Sequence, residues 1–81
     1  MHELGILRMA AKTACQAAEK NQIEKIRFFT LEIGEHSGCV PLFFEKCFPI
    51  IREEFPALRD AELRMETVPD SRRLLVKEIG V

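Results

Sequence analysis

The chain opens with Met1-His2-Glu3, which crowds several nitrogen donors at its very start. The Met1 amine, the deprotonated His2 amide and the His2 imidazole can close fused chelate rings around one ion, with the Glu3 amide as a fourth donor. Planar nitrogen ligation favours Ni(II) or Cu(II), whereas Zn(II) prefers a tetrahedron. Because the donors must lose protons, such binding weakens as the pH falls. The alternative interpretation is an ordinary exposed histidine on a frayed terminus.

A second histidine, His36, lies in a turn bounded by Gly34 and Gly38. It could serve as an extra metal donor, although an ordinary surface position in a turn is the commoner role for such a residue. Cys39 follows three residues later and could bind metal beside it. A thiol that only packs is the favoured alternative.

The three cysteines, Cys15, Cys39 and Cys47, are odd in number and widely spaced. This pattern predicts reduced thiols rather than a disulfide framework. There is no Cys-x-x-Cys pair, so the local sequence cannot build a tetrahedral structural zinc site.

Composition excludes several classes of function. The 81 residues suffice for one domain, and 12 Lys+Arg against 13 Asp+Glu give a net charge of −1 with no basic block, so nucleic acid is not an expected partner. No stretch approaches the ~20 apolar residues of a membrane span, and no secretory signal opens the chain. A cytoplasmic protein is therefore expected. An enzyme is not, because no catalytic spacing stands out and the Gly34-x-x-x-Gly38 stretch lacks the lysine of a P-loop.

Two helices are predicted from apolar periodicity. The first covers residues 4–20 and has an alanine-rich inner face. The second begins at Pro41 and ends before Pro56, and Pro49 within it should kink the helix or split it in two. The inner positions are Leu4, Leu7, Ala11, Ala14 and Ala18 in the first helix and Phe44, Cys47, Phe48, Ile51 and Phe55 in the second.

Three strands complete the prediction. Residues 26–33 are rich in β-branched and aromatic types, with Phe29, Leu31 and Ile33 on the inner face and Phe28 either exposed or covered by its own chain. Residues 61–67 alternate apolar and polar, and residues 73–81 are expected to fold back on them as a hairpin across a short turn at 69–71. The order α-β-α-β-β predicts an α+β domain in which two helices pack on one face of a three-stranded mixed sheet.

Three sequence segments together resemble the HypA/HybF family of hydrogenase and urease nickel-insertion proteins. They are Met1-His2-Glu3-Leu4, the stretch Leu-Glu-Ile-Gly-Glu-His-Ser-Gly-Cys-Val-Pro at residues 31–41, and Val-Lys-Glu-Ile at residues 76–79. The resemblance covers essentially the whole chain. It implies a non-enzymatic metallochaperone that binds Ni(II) through Met1, His2 and Glu3 and delivers it for maturation of a nickel enzyme such as NiFe hydrogenase.

The family also implies partners, namely a GTPase maturation protein and the nickel-enzyme precursor, with Glu3 and Glu35 as candidate contact residues. A homodimer through the open sheet is a further possibility. In the turn that the family places near the N-terminus, His36 could act as an additional donor.

This chain departs from the family pattern at two places that bear on metal binding. The family's zinc domain is expected to be absent, because the chain passes from Val68 to Arg73 through a turn, so residues 1–81 correspond to the nickel-binding domain alone and no structural zinc is expected. Val40 stands where some members carry an acidic residue that completes the coordination, and valine cannot ligate. These departures leave open a metal-free interaction module that keeps only the family's docking surface.

Overall fold

The structure, a computed structural model, describes residues 3–81. The element order is the predicted α-β-α-β-β, with one short 3-10 helix inserted before the second strand. The elements are α1 (Glu3–Lys20), β1 (Phe28–Gly34), α2 (Pro41–Glu54), the 3-10 helix (Pro56–Leu58), β2 (Glu62–Val68) and β3 (Leu74–Gly80).

The three strands form one mixed sheet in the order β2-β1-β3. Strand β1 pairs parallel with β2 and antiparallel with β3. The predicted fold class is thereby confirmed, but the expected hairpin between the last two strands is wrong, because β1 lies between them. Strand β1 carries the buried side chains of Phe29, Leu31 and Ile33, whereas β2 and β3 are half-exposed and rich in charge. Charged strands are better tolerated at sheet edges than in the centre.

Both helices cover the inner face of this sheet and close a single core. The alanine-rich face of α1 is buried as predicted, which lets the helix lie close to its neighbours because alanine adds so little bulk. Burial of apolar surface is the main term that stabilises this arrangement. The buried apolar side chains are Leu7, Ala10, Ala11, Ala14, Ala18, Ile26, Phe29, Leu31, Ile33, Phe44, Phe48, Ile51, Leu58 and Ala61.

Pro49 does not split the second helix. Helix α2 continues through it from Pro41 to Glu54, so of the two predicted outcomes, a kink or a split, the split is wrong. An interior proline costs a helix ~3 kcal/mol. Here Pro49 is on the exposed side, while Phe44, Phe48 and Ile51 anchor the turns on either side of it in the core. Burial of two phenylalanines and an isoleucine, at roughly 1.5–3 kcal/mol each, is sufficient to offset that cost.

The outer face of the sheet is covered by its own charged side chains. Phe28 is half-buried, since the Arg64 guanidinium lies 3.7 Å from its ring centroid and its ring occupies the space beside Gly80. Of the two alternatives for Phe28, the structure therefore favours coverage by the chain itself. Lys77 also contributes to this face, because its ammonium reaches Glu66 at 2.9 Å from the opposite edge strand. Glu66 raises the pKa of Lys77 by this hydrogen bond.

The three cysteines are unpaired and half-buried, in keeping with the expectation of reduced thiols. Burial raises the pKa of the Cys15 thiol. Within residues 3–81, neither helix combines the length and the apolar character needed to cross a membrane.

A bidentate ion pair ties α1 to the end of α2. The Arg8 guanidinium donates from Nε and Nη2 to the two carboxylate oxygens of Glu54, at 2.8 and 2.7 Å. This hydrogen bonding lowers the pKa of Glu54. A carboxylate whose pKa is lower in the folded than in the unfolded state stabilises the fold above its unfolded pKa, and this contribution is lost as the pH falls through the folded value.

We therefore expect Glu54→Gln to lower the thermal midpoint slightly at neutral pH and not at all in acid. Both groups are partly exposed, so added salt should also shrink the neutral-pH difference. The matched control is Glu53→Gln, which removes the same charge one residue away. Thermal melts at several pH values test this, and a Glu54→Gln difference that persists in acid would contradict it.

Candidate functional site

Of the predicted nickel-binding residues Met1, His2 and Glu3, only Glu3 is described, at the beginning of α1. Met1 and His2 lie outside the described residues, and Glu3 is the first described residue. Glu3 occupies the first turn of α1 and is only 8% exposed. An acidic side chain is favoured at this end of a helix because the unsatisfied amides there carry partial positive charge.

Glu3 is also linked to the start of the second helix. Hydrogen bonding to its carboxylate, from groups at its own end of α1 and most weakly from the backbone amide of Val40, holds the pKa of Glu3 below its ordinary value. Val40 is the N-cap of α2, has extended backbone and supplies no side-chain cap; Pro41 follows it. A carboxylate from α1 therefore interacts with backbone at the start of α2, where local sequence offers no capping side chain.

Exposed apolar side chains surround this junction of the two helices. A shallow cleft of about 350 Å³ lies beside Glu3, lined by that residue with Leu4, Phe43, Lys46 and Cys47. Phe43 is 45% exposed, and the neighbouring Leu42 is 53% exposed. Glu3, the first described residue, thus adjoins a part of the surface that exposes apolar side chains.

The glycine-bounded turn lies at the carboxyl end of β1, where residues 69–73 cross from β2 to β3. Backbone hydrogen bonds join the end of β2 and the crossing to β1 and its turn: Gly34 N donates to Arg73 O at 2.7 Å, Glu35 N to Val68 O at 2.8 Å, and His36 N to Ser71 O at 2.7 Å. The Glu35 carboxylate accepts a further bond from the Asp70 amide at 3.0 Å. The crossing and the turn therefore form one hydrogen-bonded unit.

Three potential metal ligands converge in this unit. His36 Nε2 lies 3.5 Å from Glu35 Oε1 and 4.0 Å from Asp70 Oδ1. Ligand atoms of all three residues lie within 4.8 Å of one another, and Glu3 does not belong to this group, as judged over residues 3–81. The structure thus places His36 beside Glu35 and Asp70.

Asp70 was not among the predicted site residues. Its sequence context indicates only a turn, and its positive φ of 57° is typical of Asp or Asn in such a position. The proximity of Asp70 to His36 depends on β1 lying between β2 and β3, and no local sequence signal carried that information. The Asp-Ser pair after Pro69 indicates a polar connection but does not indicate what it contacts.

Cys39 remains outside this cluster. Its backbone amide donates to Ser37 Oγ at 3.2 Å, and its half-buried side chain packs against the core. The structure therefore favours the packing role for this thiol over metal ligation.

Comparison with known proteins points to one family. A family model described as hydrogenase/urease nickel incorporation, metallochaperone, HypA, matches residues 1–73. The solution structure of the Ni metallochaperone HypA from Helicobacter pylori is similar, with a TM-score of 0.78 and 26% identity over 96% of this chain and 72% of that one. A second solution structure of a HypA protein has a TM-score of 0.70 and 26% identity over 96% and 71% of the two chains. No match was found among curated proteins.

Proposed function

This chain belongs to the hydrogenase/urease nickel-incorporation (HypA) family of metallochaperones, which are accessory proteins rather than enzymes, and we propose that it binds Ni(II) at its amino terminus and delivers the ion for maturation of a nickel enzyme such as NiFe hydrogenase. The observation that carries the proposal is the Met1-His2-Glu3 opening on a chain of this family and fold. The nickel ion is the cargo of this activity.

The proposed donors are the Met1 amine, the His2 amide and imidazole, and the Glu3 amide. Support comes from Glu3, which is next to these donors and is held in the first turn of α1 with only 8% of its surface exposed. Because Glu3 is already held in place, less conformational entropy is lost when the terminus closes around an ion. Protons compete for the same nitrogens, so the ion is released more readily as the pH falls.

Val40 argues for four-coordinate rather than six-coordinate nickel. Its side chain has no donor atom, and it is 44% exposed at the N-cap of α2. Without a carboxylate from this position, the terminal nitrogens supply all the protein donors in our proposal: the Met1 amine, the His2 amide and the His2 imidazole share one plane, water takes the fourth position in it, and the Glu3 amide can enter the plane only in place of one of them. Planar binding of this kind suits an ion that must later be surrendered.

We further propose that the chain functions without the family's zinc domain and without structural zinc. The connection between β2 and β3 comprises residues 69–73, and its ends are held by backbone hydrogen bonds to β1 and its turn. The sequence contains no Cys-x-x-Cys pair. A short closed connection suits independent folding, because little loop entropy is lost in closing it.

The proposed partners are a GTPase maturation protein and the nickel-enzyme precursor, met in the cytoplasm and without nucleic acid or membrane. The apolar surface around Leu42 and Phe43 adjoins Glu3, so a protein seated there would lie next to the nickel terminus. Glu3 and Glu35 are the proposed acidic contacts: the Glu35 side chain is about half exposed, whereas a partner would reach Glu3 through the cleft that it lines. A homodimer would use the outer face of the sheet, where charged side chains from all three strands are accessible.

Nickel titration with a native amino terminus tests this proposal. We expect one equivalent of Ni(II) to bind in planar form, seen as the visible absorption band of planar nickel, and His2→Ala to abolish this band because it removes the imidazole donor. His36→Ala is the matched control and should keep the band. Absence of the band in the native protein, or its survival in His2→Ala, would refute terminal nickel binding.

The alternative is a metal-free interaction module, which the donor-free side chain of Val40 favours. Under this alternative, a GTPase partner would be captured equally well by the native protein and by His2→Ala, with or without nickel. Nickel-dependent capture that fails in His2→Ala would instead support the carrier.

A further inference from the structure

A second potential metal position lies at the carboxyl end of β1, formed by Glu35, His36 and Asp70. We propose that these three side chains bind a divalent transition-metal ion such as Zn(II), Co(II) or Ni(II). The terminal amine and His2 take no part in it. The proposal therefore does not rest on the proposed function and can hold or fail separately from it.

The separations of the donor atoms fit a shared ion. Metal bonds to imidazole nitrogen and carboxylate oxygen of about 2.0–2.2 Å place neighbouring ligand atoms about 3.4 Å apart in a tetrahedron. His36 Nε2 already lies 3.5 Å from Glu35 Oε1 and 4.0 Å from Asp70 Oδ1. The Asp70 side chain is 95% exposed, so a small rotation can close the remaining gap without displacing packed atoms.

The donor types indicate which class of ion would bind. One imidazole with two carboxylates suits Zn(II), Co(II) or Ni(II), whereas Ca(II) and Mg(II) prefer oxygen ligands throughout. Three protein donors leave at least one coordination position to water. The result is an open and exchangeable site rather than a closed structural one.

The two chain segments that supply the donors are held together before any ion arrives. His36 N donates to Ser71 O at 2.7 Å, and Asp70 N donates to the Glu35 carboxylate at 3.0 Å. The conformational entropy needed to bring residue 70 next to residues 35 and 36 is therefore lost on folding. Ion binding then has to order only the exposed side chains.

The test uses the full chain carrying His2→Ala, so that the terminal imidazole cannot contribute. Zn(II) is titrated by calorimetry, and paramagnetic Co(II) is titrated while backbone amide NMR signals are followed. We expect one bound equivalent, with signals of residues 34–37 and 69–72 broadened first. Adding His36→Ala should weaken Zn(II) binding by at least about tenfold, since even the loss of an outer-shell partner has an effect of this order.

Asp70→Asn provides a second variant that should leave the fold intact, because asparagine tolerates the left-handed backbone found at this position. Asp60→Asn is its matched control and should leave metal binding unchanged. Three results would overturn the proposal. They are Co(II) broadening that is spread evenly over the exposed acidic residues, the absence of a bound equivalent, and a Zn(II) affinity that is unaffected by His36→Ala. Loss of the planar nickel band in His2→Ala reports only on the terminal site. It does not affect the Zn(II) and Co(II) results expected for Glu35, His36 and Asp70.

Discussion

Replacing Phe44 by alanine is expected to lower the free energy of unfolding by about 3–5 kcal/mol, the usual range for a buried phenylalanine. The Phe44 ring is fully buried in the core under α2. Its loss removes apolar contact and leaves a cavity that the surrounding helices and sheet can fill only in part. A domain of this size has a total stability of only about 4–12 kcal/mol, so the variant should be close to unfolding.

Phe43→Ala is the matched control, because it removes an identical side chain from the adjacent position on the outer side of α2. That ring is 45% exposed, and its removal should have a much smaller effect on stability. Urea denaturation followed by circular dichroism measures both variants. If Phe44→Ala does not fold, Ile51→Val gives a graded measure, with an expected loss of about 0.5–1.5 kcal/mol at another fully buried position. Equal losses for Phe43→Ala and Phe44→Ala would contradict the core described above.

Gly34→Ala is expected to destabilise the protein by about 1–3 kcal/mol through overpacking. A Cβ atom at this position would lie 2.4 Å from the Ser71 carbonyl oxygen and 2.8 Å from the Arg73 nitrogen. Both neighbours are backbone atoms, so no side-chain rotation can relieve the clash. The crossing of residues 69–73 would have to move away from β1, which would strain the hydrogen bond from Gly34 N to Arg73 O.

Gly5→Ala provides a control whose expected effect on stability has the opposite sign. A Cβ at residue 5 would meet no atom within 4 Å, and the residue lies inside α1, where alanine is favoured over glycine by up to ~1 kcal/mol. Denaturation should therefore show a loss for Gly34→Ala and a gain for Gly5→Ala. Hydrogen exchange at the His36 amide should also accelerate in Gly34→Ala only. A neutral Gly34→Ala would mean that the crossing does not pass over β1 so closely.

The helices and strands could be predicted because their signals are local. The apolar period of residues 4–20 and the β-branched, aromatic run before Gly34 gave α1 and β1 nearly at their observed bounds. The strand order could not be predicted, since residues 61–67 and 73–81 both alternate and the turn between them suggests a hairpin. The strand order instead follows from the burial of β1. Its three buried side chains need neighbours on both sides, and only the central strand of the sheet has them.

Pro49 shows a similar limit of local inference. Its residue type predicts a kink or a split in α2, but tertiary packing on both sides of it keeps the helix continuous. The candidate metal residues divide in the same way. Met1-His2-Glu3 is a contiguous donor set that sequence alone exposes, whereas the contact of His36 with Asp70 exists only because the crossing passes over the end of β1.

The most direct test of nickel binding at the terminus compares the native chain with the same chain acetylated on its Met1 amine. Acetylation removes the amine donor and the terminal charge, and it leaves every side chain and the other possible metal position intact. Nickel is titrated into both forms, and the planar band is monitored. We predict one planar Ni(II) in the native chain and none in the acetylated form; the same planar band in both forms would contradict binding through the terminal amine.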